Sequence, residues 1–556
     1  MEDQNKFSGK KMDRRKFLKK SGIAAGVVIG AGLLGSCSLW KMEKSTSTVP
    51  EPPTEADSGQ TSSDQASAGS SGEPPFIAYP FKLGIASGDP LPDGVVLWTR
   101  LAPAPTSTNG GMPNEPYNVQ WEVAEDEQFA HIVKSGTEKA TPQYAHSVHA
   151  EVSGLKSDRW YYYRFKAGSE VSPTGRTKTA PAAGADIKKL NFAFASCQNF
   201  PAGYFSAYDH LVKEDIEAVI FLGDYIYEGA GGTIKGRQHF PNKAIHTLSD
   251  YRLRYGQYKV DPGLQAAHAA FPWIVAPDDH EVRNDWTNDG PPYDDTKDFL
   301  ERRAAAYQAY YEHMPLRKAA LPKGPDMQLY RRFTYGNLAE FSVLDTRQFR
   351  SHYACGEGNI RANCDERLDP TRSIMGADQE KWLFDGLAKS KARWNVIPQQ
   401  VMMAQRDREP GSGVAYQIDK WDGYVASRDR LFKHVKDSKI KNFVVLSGDQ
   451  HNNWVNLLKD DFNDEKSAIL GVEFLGTSIT SGGNGSDMNE DGRSSLAENP
   501  HMVFFNDQRG YVVCQVTPDQ WRTDFRVLSY VNKQGSPIKT RASFVIANGV
   551  PGVRQL

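Results

Sequence analysis

The sequence predicts a layered α/β domain standing behind a small antiparallel β-sandwich. Between residues 76 and 181 short alternating segments recur between turn residues, as they do in the strands of a sandwich. Beyond Asp186 the pattern changes to continuous apolar runs that stop abruptly at polar residues, which is how strands buried on both faces read. The length of 556 residues exceeds one average domain and predicts roughly two to four units with a large core.

In chain order, Asp13-Arg14-Arg15-Lys16-Phe17-Leu18-Lys19 precedes a run of small and apolar residues over 23–34. That run is short for a bilayer span and has the flanks of a signal peptide. The paired arginines resemble a twin-arginine export signal, with Asp13 where Ser is commoner. Leu34-Gly35-Ser36-Cys37 closes the run as a lipobox does, leaving two readings, a lipidated Cys37 and an incidental cysteine. Residues 1–37 are thus expected to be an export signal. Residues 38–75, rich in Ser, Thr, Pro, Gly and acidic side chains, are expected to be a surface tether, because so few apolar groups cannot offset the entropy of ordering. The expected location is extracytoplasmic, in the periplasm or at the cell surface. The twin-arginine export machinery is an expected partner, and lipid on Cys37 would anchor the chain to the membrane.

The β-domain is expected over 76–182. Its strands are read in Gly94-Val-Val-Leu-Trp-Thr-Arg100, Val119-Gln-Trp-Glu-Val123, Ser147-Val-His-Ala-Glu-Val152 and Trp160-Tyr-Tyr-Tyr-Arg-Phe-Lys166. The Gly154-Leu155 turn ahead of the tyrosine-rich strand resembles a fibronectin-like or Ig-like module. The catalytic domain is expected over 186–556, with buried strands in the runs 190–196, 218–222, 273–276, 338–344, 394–397 and 442–447. In sheets of this kind ligands gather outside the strands' carboxyl ends.

Composition leaves the partner open. The formal net charge is only -2, so no global field draws the chain to nucleic acid and no specific binding to it is expected. Five cysteines are too few for a disulfide-built scaffold. Cys355 and Cys364 share a loop and could pair locally, Cys514 sits in an alternating strand, and Cys197 is left over.

The chemistry lies at the strand ends. One run ends at Cys197, the next at Gly223-Asp-Tyr-Ile-Tyr-Glu228, a third at Asp278-Asp-His-Glu281 and a late one at Gly448-Asp-Gln-His451. Thiol, carboxylate, phenol and imidazole groups are thereby delivered to one edge, as a metal site requires. Taken singly, each motif has a bland explanation as a buried strand cysteine, a turn, a capping Asp or a loop His.

With Ser196-Cys197-Gln198, Leu344-Asp-Thr-Arg347, Trp421-Asp-Gly-Tyr424 and Gly476-Thr-Ser-Ile-Thr-Ser-Gly-Gly483, this ordered set resembles the PhoD family of alkaline phosphatases and phosphodiesterases. The resemblance implies a four-layer α/β metallophosphoesterase sandwich, related to calcineurin-like enzymes and purple acid phosphatases, preceded by an all-β domain. It also implies hydrolysis of phosphate monoesters and diesters by a metal-bound hydroxide. Against the wider metallophosphoesterase pattern, Cys197 replaces an acidic residue, Asp279 an Asn, Gln400 a His and Asp449 a His. The ligands sort into two halves. Cys197, Asp224, Tyr227 and His451 suit ferric iron (Fe3+), and Asp224 as a bridge with Asp279, Gln400 and Asp449 forms an oxygen shell suited to calcium (Ca2+). Asn284 is a further calcium candidate. His280 is expected to stabilise phosphate or donate a proton, or else to orient Asp224. Arg283, Arg347 and Arg428 are candidates for gripping phosphate. Two other functions stay open: a phospholipase D acting on phospholipid head groups, and an inactive surface binding protein.

Overall fold

The computed structural model describes residues 76–556 except 291–295 and 357–358. The expected export signal, lipobox and tether lie outside the described residues.

Two sheets face one another. At the centre of the first, a ten-stranded sheet, Leu190–Ala195, Ala218–Phe221 and Pro272–Val275 run parallel. In the second, seven-stranded, Ala339–Val343, Trp394–Pro398, Phe443–Ser447 and Ile469–Leu475 run parallel side by side. Alternate residues of each strand point to opposite faces. Phe192, Phe194, Ile220 and Leu222 therefore meet Phe341, Val396, Val444 and Leu446 in one core between the sheets. The outer faces are covered too. Val219, Phe221 and Trp273 pack against Tyr208, Tyr251 and Tyr307 of the helices on one side, and Phe443 and Val445 against Leu383, Leu431 and Phe432 on the other. This is the helix–sheet–sheet–helix layering that the resemblance implied. Burial on both faces is why these strands are mostly apolar, with Asn191, Glu340, Asn395 and Glu473 among the exceptions.

The segment from residue 76 to about 181 is a β-sandwich whose two sheets share a core including Val95, Leu97, Val119, Tyr163 and Phe165. Its strand Ile85–Leu91 also pairs in parallel with Pro272–Val275, Ser87 opposite Pro272 and Gly88 opposite Trp273. One sheet of the sandwich therefore continues into the ten-stranded sheet. Gly88 permits the approach, because a Cβ there would lie 2.5 Å from the Pro315 carbonyl oxygen. At the far edge Gly510–Val516, Gln520–Leu528 and Ile538–Ala547 extend the same sheet, and Cys514 is a buried residue of the first of them. Cys355 and Cys364 are disulfide-bonded.

Helix Leu248–Lys259 starts at a capping box formed by Thr247 and Asp250 and braces the site loops. Tyr251 donates to the Val282 carbonyl, and Arg254 to the carbonyls of Tyr227 and Gly229.

Buried histidines make the fold sensitive to acid. His149 Nε2 bonds the Tyr311 and Met314 carbonyls, and burial pushes its pKa down to about 4. His501, on the Gln405 carbonyl, is likewise pushed down to about 4 by burial. An unfolded chain binds these protons near pH 6.5 and the folded chain does not, so their stabilisation is complete above pH ~6.5 and lost as pH falls toward ~4. Urea midpoints at pH 7.5 and 4.5 should show the difference, and His149→Gln should flatten it; an unchanged slope would refute the assignment.

Candidate metal centre

The polar residues gather where strands of both sheets end. Cys197, Asp224, Asp449 and His451 have φ of 60, 56, 66 and 60°, a left-handed conformation unusual for residues with a side chain and concentrated at functional sites. The surroundings enforce it. The Cys197 and Gln198 N–H groups donate to the carbonyls of Gly223 and Asp224. The buried Glu281 carboxylate accepts the N–H groups of Asp224, Tyr225 and Asp278 at 3.1, 2.6 and 2.8 Å. Gly223 has φ 101°, and a Cβ there would lie 2.4 Å from that of Asp278, so only glycine fits between the two loops.

Three overlapping groups form, each with donor atoms within 4.8 Å of one another: Cys197, Asp224 and His451; Asp224, Asp279 and His280; and Asp278, Asp279 and Asp449. Tyr227 joins the first group, its hydroxyl 2.8 Å from Asp224 Oδ2 and 3.1 Å from His451 Nε2. Ser481 donates to the Tyr227 oxygen at 2.6 Å, which makes the segment around residues 476–483 a wall of the site.

The donor set fits bound cations. Asp224 Oδ1 and Asp278 Oδ2 are buried with no hydrogen-bond partner, a costly arrangement unless a positive charge faces them. Burial and the Asp224 carboxylate push the Cys197 thiol and the Tyr227 phenol well up. Burial, reinforced by Asp224 and Asp285 against Arg347 and His280, pushes Asp279 up to about 7. A cation is what would let these groups ionise together.

The sequence matches the PhoD-like phosphatase family over residues 192–525, and that family's N-terminal domain over residues 65–181. The chain belongs to the PhoD-like phosphatase family. It is 48% identical to alkaline phosphatase D of Bacillus subtilis (strain 168), in an alignment covering 100% of this chain and 91% of that protein. A solved structure of PhoD matches with a TM-score of 0.85 at 52% identity, over 87% of this chain and 93% of that one.

Within this PhoD-like centre, Cys197, Asp224, Tyr227, Asp279, His280, Asp449 and His451 converge; other expected residues do not. Gln400 Oε1 accepts the Thr346 N–H and hydroxyl, and its Nε2 donates to the Leu344 carbonyl, so the amide ties two strand ends and offers no free oxygen to a metal. Asn284 is exposed, and it is its backbone N–H that serves the site, by donating to Glu228 Oε1. Arg428 is buried on Asp422 and the Met403 carbonyl, far from the phosphate-gripping role expected; Trp421–Gly423 is the structural turn that holds it. Arg347 is only 1% exposed. It bonds Asp278 and Asp419 and lies 3.5 and 3.6 Å from Asp279 and Asp449, which makes it a fixed cation behind the carboxylates instead of a substrate clamp. Arg283 lines a cavity of about 520 Å3 beside Glu228.

Five contributors lie outside the expected set, the first being Asp278, a carboxylate of the third group. Glu281 braces the loops, and Glu228 holds His280 Nδ1 at 2.6 Å. Asp419 and Lys420 form a buried pair in which Lys420 reaches Asp449. Asp278, Glu281 and Glu228 stand inside the motifs 278–281 and 223–228, so the motif itself was their signal. An adjacent Asp and Lys reads as a solvated turn, and nothing in its spacing says otherwise.

Proposed function

We propose that the protein is an exported phosphoesterase that hydrolyses phosphate monoesters and diesters at a centre of ferric iron and calcium, releasing phosphate for uptake. What carries the reading is the convergence of a thiol, a phenol, an imidazole and carboxylates at one edge in a chain of the PhoD-like phosphatase family. Cys197, Asp224, Tyr227 and His451 would hold iron, and Asp224, Asp278, Asp279 and Asp449 would hold calcium through oxygen alone. Bound there, the cations supply Lewis acidity that activates water and braces the phosphoryl oxygens. The chain's own residues do the rest. Glu228 fixes one ring nitrogen of His280 and leaves the other to contact a phosphoryl oxygen or protonate the leaving group. Arg347 and Lys420 hold the carboxylates in place from behind.

Purified protein should hydrolyse aryl phosphomonoesters and diesters, lose activity to a calcium chelator, regain it with calcium, and show a visible band from phenolate coordination to iron. Choline release from phosphatidylcholine well above aryl ester turnover would favour the phospholipase D reading. An active, colourless protein without iron would overturn the metal assignment.

A further inference from the structure

The end of the second sheet opposite Gln400 and Asp449 carries a different chemistry. At the amino ends of Phe443–Ser447 and Ile469–Leu475 lies an open groove of about 300 Å3, with Val435, Ile440, Phe443, Ile469, Val550 and Pro551 on its walls. A hollow of about 450 Å3, reaching the start of strand Trp394–Pro398, shares Lys441, Asn442 and Gly549 with it. Lys436, Lys439 and Lys441 line the groove, Lys391 and Arg393 line the hollow, and no carboxylate lines either.

Five cations on one face of a chain whose formal net charge is -2 are a local concentration. Lys436 is held by Asp460 and Arg393 lies in the field of Asp186, whereas Lys391, Lys439 and Lys441 make no ion pair among the described residues. Between them an apolar tip projects. Gly549 turns the chain with φ 73°, and the Val550 that follows is 58% exposed beside the exposed Pro551.

We infer that this face docks on an anionic lipid bilayer, with the metal-ligand edge at the other end of the strands turned away from it. Lysine and arginine heads would meet lipid phosphates while Val550 and Pro551 enter the acyl boundary, the pairing that peripheral anchors use. A soluble polyanion would satisfy the cations and leave the apolar tip in water; a bilayer interface takes both. No helix among the described residues is long and apolar enough to cross a membrane, so the contact is peripheral.

Sedimentation of the full-length chain with vesicles tests this. Binding should be stronger to vesicles of phosphatidylglycerol and phosphatidylcholine than to phosphatidylcholine alone. The triple variant Lys391→Glu, Lys439→Glu, Lys441→Glu should bind the anionic vesicles about tenfold more weakly or worse, since each basic group near such a surface contributes appreciably. Val550→Gln should weaken binding severalfold, and aryl phosphoester turnover in solution should not change in either variant. The N-terminal apolar run is common to all these chains, so the differences report the face. Equal sedimentation of the triple variant would overturn the inference, as would a Val550→Gln chain that binds like wild type and is displaced by soluble polyphosphate.

Discussion

Cys197→Ala is expected to lose bound iron and to lower phosphoester turnover by roughly a hundredfold or more, given that removing even the partners of metal ligands costs about ten- to a hundredfold. The loop should survive the change. The Cys197 N–H donates to the Gly223 carbonyl, and the Cys197 carbonyl lies 2.8 Å from the Ser481 hydroxyl; both are backbone contacts that alanine keeps. What disappears is the sulfur within reach of Asp224 and His451. Cys514→Ala is the control. Its sulfur lies 3.8 Å from Thr523 Oγ1 in the core between the sheets, so its loss should cost stability, about 1 kcal/mol or somewhat more, and leave iron content and turnover near wild type. The same thiol sets a pH dependence. Burial and Asp224 hold Cys197 and Tyr227 protonated in the metal-free protein, so the proposed iron would have to displace protons from both, and its apparent affinity should rise with pH. Iron content by mass spectrometry beside turnover decides the matter; equal effects of the two cysteine variants would remove Cys197 from the ligand set.

The strands and the edge they build were legible because burial on both faces writes itself into the chain. Runs such as Ala218–Phe221 and residues 443–446 are apolar without interruption, and the first charged residues after them, Asp224 and Asp449, are the ones at the centre. Pairing between distant segments was not legible. The seam of Ile85–Leu91 with Pro272–Val275 leaves no local pattern, so the β-sandwich read as a separate unit. Gln400 failed for a related reason. Its spacing after Trp394 fits the wider family pattern, but the Thr346 and Leu344 groups that engage its amide lie just past the end of another strand, Ala339–Val343. Arg347 shows that a motif can identify a functional residue and still leave its direction open, because a guanidinium beside a metal site can face substrate or brace carboxylates with the same sequence around it. Here its contacts with Asp278, Asp279, Asp419 and Asp449 decide the direction.

That bracing predicts the second large effect, at a residue no motif singled out. Asp419 is fully buried and accepts from Arg347 at 2.7 and 3.2 Å, Arg350 at 2.8 Å, the Tyr353 hydroxyl at 2.7 Å and Lys420 at 2.7 Å. Burial opposes its charge, but Arg347, Lys420 and Arg350 outweigh that and hold the carboxyl well below its usual range. Asp419→Ala would leave three buried cations without their shared anion, and breaking a buried charge pair from one side costs about 3–5 kcal/mol. The guanidinium midpoint should fall accordingly. Arg347 and Lys420, no longer fixed, would close on Asp279 and Asp449, where calcium would have to compete with them, so the calcium concentration for half-maximal turnover should rise about tenfold, the equivalent of ~1.4 kcal/mol. Asp419→Asn separates charge from shape, since it keeps an acceptor oxygen of similar size and removes the negative charge. If the pair of effects is electrostatic, Asn should behave like Ala; an Asn variant with wild-type stability and calcium response would mean that Asp419 acts only as a spacer, and that Arg347 and Lys420 are held by the metal-ligand carboxylates alone.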